Sequence, residues 1–201
     1  MADVTIPLRF QRQELREKAK LSDGGLRSLA AAKGPENLVA TLKADDQPLD
    51  AISALALMLP RRQAVWWACL GTRLIPDLDQ RPDEAAAVEA AENWVQSQAP
   101  EDAEKAQDAA ARCAPASAAA YAALAAFWSG PSIAPRGQQA VAPAAHLPGV
   151  ATRVALLLTA NEPSVRDRIG FEDLLEIGLE LMKGDLGRKA QDMLRARLVP
   201  A

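Results

Sequence analysis

Residues 60–76, PRRQAVWWACLGTRLIP, decide the fold of this chain. A proline stands at each end of the segment, and proline fits the first turn of a helix but breaks a helix interior. The residues between the two prolines are apolar on nearly every side of a helix, so we expect this helix to lie in the middle of a bundle. Because Trp66 and Trp67 cannot point in the same direction, each is predicted to face a different neighbouring layer.

The composition of the whole chain favours an all-α protein. Of its 201 residues 49% are hydrophobic, about a fifth are alanine, and only 4% are aromatic. Alanine has the highest helix propensity, whereas the aromatic and β-branched residues that favour strands are sparse. We predict one helical domain over residues 1–201, either an irregular multi-helix bundle or a short α-solenoid-like stack of antiparallel helix pairs.

Prolines divide the sequence into helices and two other segments. An extended N-terminal arm is predicted at about residues 1–10, and a long loop rich in proline and glycine at about residues 130–148. A short helix is expected at residues 11–20. The other predicted helices are 35–44, 48–58, 60–75, 82–98, 100–113, 115–129, 148–160, 164–183 and 186–198.

The faces of these helices predict how they are layered. The segments 48–58, 60–75, 115–129 and 148–160 are apolar over most of their circumference and form the predicted inner layer. The 82–98 helix is amphipathic, and the 100–113 helix has only an alanine face, so both should lie further out. In the last helix a docking stripe is predicted for Leu186, Ala190, Met193, Leu194 and Leu198.

Charge and cysteine usage bear on partners and compartment. The net charge of −3 gives no overall field that would gather a nucleic acid or an anionic membrane, so neither is predicted as a partner. The uncharged stretch near residues 118–128 is too short to span a bilayer. Two cysteines without a secretory signal predict reduced thiols in a cytoplasmic protein.

The sequence offers few residues for chemistry. His146 is the one histidine, so a catalytic triad lacks its other members and a clustered metal site lacks ligands. Cys69 and Cys113 are interpreted as small apolar residues rather than a redox pair. Residues 184–189, GDLGRK, look like a helix-ending turn followed by a basic helix rather than a phosphate loop. We therefore predict no catalytic residue, no metal and no cofactor, and the chain is not predicted to be an enzyme.

Two features of the charge pattern bear on how the chain would contact a partner or ligand. Residues 77–108 carry ten acidic side chains and two basic ones, which is either a solvated face or a patch that steers a protein partner. Arg61 and Arg62 open the central helix, where cations oppose the helix dipole. They should pair with a carboxylate such as Asp45, Asp46 or Asp50, or else be reserved for a ligand or partner.

Three segments resemble a known family. These are Arg61-Arg62-x-Ala-Val-Trp-Trp-Ala-Cys-Leu, Ala90-Ala91-Glu92-x-Trp94-Val95 and Ala125-Ala126-Phe127-Trp128-Ser129-Gly130. The chain is similar here, over roughly residues 35–160, to uncharacterised alanine-rich bacterial proteins that share a Trp-Trp-Ala-Cys helix and are associated with type VI secretion gene clusters. The resemblance implies a cytoplasmic adaptor, accessory or chaperone-like role, and it assigns no functional residue.

The leading hypothesis is a non-enzymatic protein-interaction module that binds another protein. Its contact surface is predicted at a groove near the 130–148 loop or at the N-terminal arm, with Arg61 and Arg62 as further contacts. The alternative is a helical bundle that binds or converts a small ligand in a pocket near Trp128, Arg136 and His146. A third hypothesis is a homo-oligomer formed through the amphipathic C-terminal helices.

Overall fold

A computed structural model describes residues 6–198 of the chain, and within this part every regular element is helical. The structure is a multi-helix bundle, as predicted. A 3₁₀ turn, Leu78–Gln80, precedes α6. The α-helices are α1 (Arg12–Lys18), α2 (Asp23–Ala31), α3 (Pro35–Ala44), α4 (Pro48–Met58), α5 (Arg61–Thr72), α6 (Pro82–Ser97), α7 (Pro100–Ala110), α8 (Ala118–Phe127), α9 (Leu147–Asn161), α10 (Phe171–Met182) and α11 (Arg188–Leu198).

The predicted inner layer is confirmed. Helix α9 packs against α4, α5 and α8, and α5 also packs against α8. Helix α4 is buried from Asp50 to Met58, and most of α8 is an alanine surface without solvent contact. Alanines let helix axes approach closely, so α8 can pack tightly against its neighbours, while α4, α5 and α9 contribute the largest fully buried side chains of this layer, such as Leu55, Trp67 and Leu156.

The outer helices close the remaining sides of this layer. Helices α6 and α7 pack against each other and against α8, and α7 buries Ala103, Ala106 and Ala109, which is the alanine face predicted for it. Helix α10 lies across α4 and α5, and α11 follows it against α5. At the N-terminal end, α1 contacts α2, α2 contacts α3, and α3 contacts α4.

Two large rings fix how α5 meets its neighbours. Trp67 is fully buried, and its indole Nε1 donates to the carbonyl oxygen of Leu174 in α10 at 3.0 Å. Gly178 lies under this ring: a Cβ at position 178 would stand 2.4 Å from Trp67 Cζ2. Trp66 points outward instead and is only half-buried. The two tryptophans face different sides of α5, as predicted, but Trp66 lies at the surface beside the turn that precedes α11 instead of facing a second helix layer.

The sequence-based helix assignments differ from the structure in several places, one of which is α8, predicted from residue 115 but beginning at Ala118. Helix α2 was not predicted, and it begins after Ser22, whose hydroxyl oxygen accepts from the Gly25 N–H. The predicted 164–183 helix begins only at Phe171, because residues 163–168 form turns and the Asp173 carboxylate caps the Gly170 N–H at 2.9 Å. Helix α11 begins after Gly187, whose φ of +71° interrupts helical geometry.

The stripe predicted for the C-terminal helix is wrong for two of its residues. Ala190, Leu194 and Leu198 are buried, whereas Leu186 is 69% exposed and Met193 is 57% exposed. The polar Gln191 takes part in the buried face instead, and its Nε2 donates to the carbonyl oxygen of Leu70 at 2.8 Å. This hydrogen bond joins α11 to α5. Met193 lies on the solvent-facing side of α11.

The structure also describes most of the predicted arm and the predicted loop. In the predicted arm, residues 6–11 are non-helical, Leu8 and Phe10 pack against the core, and the Arg9 N–H donates to the Met58 carbonyl. Residues 1–5 of that arm lie outside the described residues. The predicted loop is also non-helical, from Ser129 to Ala145.

Within residues 6–198 no helix is both long and apolar enough to cross a membrane.

Replacing Gly178 with alanine tests the contact under Trp67. The added methyl group would overlap the buried ring, which the Leu174 hydrogen bond holds in place. Overpacking costs about 1–3 kcal/mol, and the better helix propensity of alanine returns about 1 kcal/mol. Because the ring is large and buried, we expect a cost at the upper end of that range, so Gly178→Ala should lower the free energy of unfolding by about 2 kcal/mol in urea denaturation. Gly24→Ala is the control, because Gly24 is also helical and a Cβ there would meet only the end of the flexible Gln47 side chain, and an equal loss there would contradict the contact.

Candidate functional site

The two arginines at the start of α5 bind the ends of other helices. Arg62 Nε donates to the carbonyl oxygen of Val95, in the last turn of α6, at 2.8 Å. Arg61 Nη1 reaches the carbonyl oxygen of Ser129, just beyond α8, at 3.3 Å. The C-terminal ends of helices carry partial negative charge, so these neighbours offset the repulsion from the N-terminus of α5.

The predicted pairing of these arginines with nearby carboxylates is wrong. Asp50 instead accepts from the N–H and the hydroxyl of Ser22, at 3.0 and 2.5 Å. Within residues 6–198, Arg62 has no hydrogen bond other than the one to Val95 and no ion pair. Its two terminal nitrogens are therefore available at the surface of the bundle.

A groove runs beside Arg62 along the outer side of α5. It consists of two adjoining cavities of about 320 Å³ each, which share Trp66, Glu92, Gln96 and Arg188. We call this the Trp66 groove. The first cavity is also lined by Ile6, Arg62, Gln63, Val95, Leu181, Gly184, Asp185 and Leu186, and the second by Leu70, Arg73, Gln191 and Arg195.

The turn between α10 and α11 forms one wall of the Trp66 groove. Trp66 Nε1 donates to the carbonyl oxygen of Leu186 at 2.9 Å, and the guanidinium carbon of Arg188 lies 4.9 Å from the centre of the Trp66 ring. Gly184 and Gly187 both have positive φ, which lets the turn fold back on itself. These contacts hold the Leu186 side chain out in solvent beside the ring. The prediction of a helix-ending turn at residues 184–189 is confirmed.

The carboxylates at the groove differ in how they are neutralised. Glu92 receives two hydrogen bonds from Arg73, at 3.0 and 2.8 Å, and this pair raises the pKa of Arg73. Asp185 is exposed on the turn. The side chains lining the groove thus combine indole and aliphatic surface with amide, guanidinium and carboxylate groups.

The 130–148 loop forms a strap against α7. The Ile133 N–H donates to the Val141 carbonyl at 2.8 Å, and the Ser132 hydroxyl accepts from the N–H of Val141 at 3.0 Å. Arg136 binds Glu104 and Asp108 on α7, at 3.0 and 2.7 Å. A cavity of about 140 Å³, lined by Phe127 and Arg136 among others, lies under the strap.

The structure places the other predicted site residues in separate surroundings. Trp128 ends α8 and is half-buried against the core. His146 precedes α9, and its Nδ1 lies 3.7 Å from Glu14 of α1. Neither residue lines the cavity that Arg136 lines. A pocket that joins Trp128, Arg136 and His146 remains a prediction.

Sequence reasoning missed most of the Trp66 groove. It selected Arg62 and the tryptophan helix, but not Leu186, Arg188, Gln96 or Arg195. One available signal was Leu186 itself, an apolar residue between two glycines in a polar turn. A buried leucine would be expected within a helix face, whereas a leucine in such a turn is often displayed at the surface.

The two thiols are free and differ in burial. Cys69 is fully buried, and burial raises the pKa of its thiol well above the ordinary value. Cys113 is half-buried, and burial followed by the nearby carboxylates of Glu84 and Asp83 raises its pKa as well. Within residues 6–198 no cluster of histidine, cysteine, aspartate and glutamate could hold a metal ion.

Alkylation should separate the two thiols. The thiolate is the reactive form, so a raised pKa slows the reaction at neutral pH and moves it to higher pH. We expect iodoacetamide to modify Cys113 slowly in the folded protein, faster as the pH rises through the alkaline range, and to leave Cys69 unmodified. Mass spectrometry of Cys113→Ala and Cys69→Ala variants, folded and in urea, measures each site. Equal rates at both sites in the folded protein would contradict the burial of Cys69.

Removing Arg136 should loosen the strap without unfolding the bundle. Its ion pairs lie at the surface, where such pairs add little to global stability. We expect Arg136→Ala to speed hydrogen exchange at the Ile133 and Val141 amides and to leave the urea midpoint unchanged. Arg166→Ala, which removes an exposed arginine elsewhere, is the control and should change neither. Unchanged exchange in Arg136→Ala would show that Arg136 does not hold the strap.

A family model matches residues 38–182, and its description is a family of unknown function, DUF6931. The match includes α4 to α10 completely, and therefore both tryptophans of α5 and the α6 wall of the groove. No curated protein and no solved structure matches the chain.

Proposed function

Because the chain belongs to DUF6931, a family of unknown function, we propose its function from its own surface: it is a non-enzymatic protein-interaction module that binds a partner protein in the Trp66 groove. One observation carries this proposal. A half-buried tryptophan and a leucine that is 69% exposed stand side by side in an open cavity, fixed by the hydrogen bond from Trp66 to Leu186. Aromatic residues held in such cavities are the usual anchors of protein interfaces.

The fixed orientation of Trp66 supports the proposal that the groove is a binding surface rather than a defect in packing. Trp66 is held by a hydrogen bond and by the Arg188 guanidinium, so its ring has one defined orientation without a partner. A preorganised surface loses less conformational entropy when it binds. The predicted surfaces at the 130–148 strap and the arm are occupied by intramolecular contacts, to α7 and to α4 respectively.

We further propose that the protein acts in the cytoplasm as an accessory, adaptor or chaperone-like component of a bacterial secretion system of type VI. The free thiols Cys69 and Cys113 support a reducing compartment. The resemblance of the Trp-Trp-Ala-Cys helix to proteins associated with type VI secretion supports the second part. The identity of the partner protein that binds the groove tests this cellular role.

Photo-crosslinking tests the proposed surface. A photoreactive amino acid at position 186 should yield one discrete adduct of higher mass in cells that express the partner, and mass spectrometry identifies the attached chain. The same amino acid at position 141 is the matched control, because Val141 is also an exposed apolar residue but lies on the strap. Trp66→Ala should abolish the adduct from position 186.

Either of two results would contradict the proposed function. The first is an equal pattern of adducts from positions 186 and 141. The second is an adduct from position 186 that persists in Trp66→Ala, since the groove would then not be the contact. An adduct with a protein outside a secretion system would leave the interaction module standing and overturn the proposed cellular role.

A further inference from the structure

Most carboxylates of the acidic stretch form ion pairs within the molecule. Eight of the ten acidic side chains in residues 77–108 form ion pairs inside the described part of the structure. Arg73, Arg81, Arg112 and Arg136 supply most of the partners, and Lys105 supplies one. These five cations are shared among eight carboxylates, so the stretch stays negative, but most of its carboxylates already have an intramolecular partner.

The Trp66 groove has the opposite balance. Four arginines line it (Arg62, Arg73, Arg188 and Arg195), against two carboxylates, although the whole chain carries a net charge of −3. Arg73 is already satisfied by Glu92. Within residues 6–198, Arg188 forms no hydrogen bond or ion pair and only stacks on Trp66. A basic groove on an acidic protein favours an anionic occupant.

The geometry of the free guanidinium groups favours carboxylates as that anion. Arg62 uses Nε to hold the Val95 carbonyl, which leaves both terminal nitrogens as a fork. Arg188 lies over the ring face of Trp66, so the edge of its guanidinium plane carries the unused donors. A planar guanidinium edge binds a carboxylate through two parallel hydrogen bonds.

Apolar surface lines the same cavity as these two arginines. Trp66, Val95, Leu181 and Leu186 line the first cavity together with Arg62 and Arg188. Its volume of about 320 Å³ is at the small end of the range for ligand pockets and suits a short segment rather than a folded domain. A matching occupant therefore combines an apolar group with negative charge close to it.

We propose that the Trp66 groove binds a short acidic and apolar peptide segment of a partner protein, with one large apolar side chain beside Trp66 and Leu186 and carboxylates on Arg62 and Arg188. This inference rests on the proposed function and adds the chemistry of the partner. An anionic bilayer is disfavoured, because the surface is concave and the chain as a whole would be repelled.

Selection from a random nonapeptide display library measures the preference directly. We expect peptides enriched on the wild-type protein to carry a large apolar residue with aspartate or glutamate within a few positions. Their affinity, measured by fluorescence anisotropy, should fall on the order of tenfold in Arg62→Gln and in Arg188→Gln, and at least about tenfold in Trp66→Ala. It should also fall with added salt.

Arg61→Gln is the matched control for Arg62→Gln. Arg61 is the neighbouring exposed arginine on the same helix, and it also binds a helix-end carbonyl, but it lines a different cavity. Its replacement should leave peptide affinity unchanged. Urea denaturation of each variant verifies that the bundle is intact, so that a lost affinity reports the groove.

Several results would overturn the inference, and some of them would identify a different occupant of the groove. Enriched peptides that are neutral or basic, equal losses in Arg61→Gln and Arg62→Gln, or no enrichment at all would each refute an acidic segment. Arginine-dependent binding to phosphatidylglycerol vesicles without peptide binding would assign the groove to a membrane. Self-association that Trp66→Ala abolishes in light scattering would assign it to a second copy of the chain.

These outcomes are distinct from failure of the proposed function. If position 186 forms a Trp66-dependent adduct with a partner whose contact segment is neutral or basic, the interaction module stands and the acidic segment is refuted. If the adduct itself is absent, the proposed function fails irrespective of the peptide preference.

Discussion

The fold depends on how Trp67 is enclosed. Its ring is fully buried, its Nε1 is satisfied by the Leu174 carbonyl, and Gly178 allows α10 to approach its face. A buried indole without an acceptor would cost free energy, and a bulkier residue at 178 would push α10 away. This one side chain therefore sets the distance and the orientation of α10 relative to α5. The position of α10 in turn fixes where the chain turns back into α11.

Local sequence signals were sufficient to predict those helices whose first turn is set by their own residues. The proline-led segments α3 to α7 and α9 were predicted close to their observed starts, because proline marks a first turn irrespective of what packs nearby. Helix α2 was missed because Gly24 and Gly25 weaken it. Its support comes from Asp50, which binds Ser22 across 28 positions of the chain and lies where a side chain on residue 25 would stand.

The candidate site was also less predictable, because it depends on contacts between residues far apart in the sequence. Arg62 and the tryptophan pair stood out in the sequence, but the opposite wall of the groove is 120 residues away, at the carbonyl that Trp66 binds. Periodicity assigned Leu186 to a buried stripe. That spacing holds only along a continuous helix, and Gly187, with its positive φ, separates Leu186 from α11. A pattern of apolar residues cannot show where helical geometry is interrupted.

The core and the proposed binding surface are coupled through adjacent residues. Successive residues of a helix point about 100° apart, so Trp66 faces outward because Trp67 faces inward. Rotation of α5 that moved Trp66 would break the Trp67 hydrogen bond and the contact with Gly178. One wall of the groove is thus as rigid as the core. The other wall is a turn with two glycines of positive φ, and its own backbone binds it to α10, since the Gly184 N–H donates to Leu181 and the Asp185 N–H to Glu180, both at 3.0 Å. With the Trp66 hydrogen bond added, both walls of the groove are set before a partner binds, which lowers the entropy cost of binding.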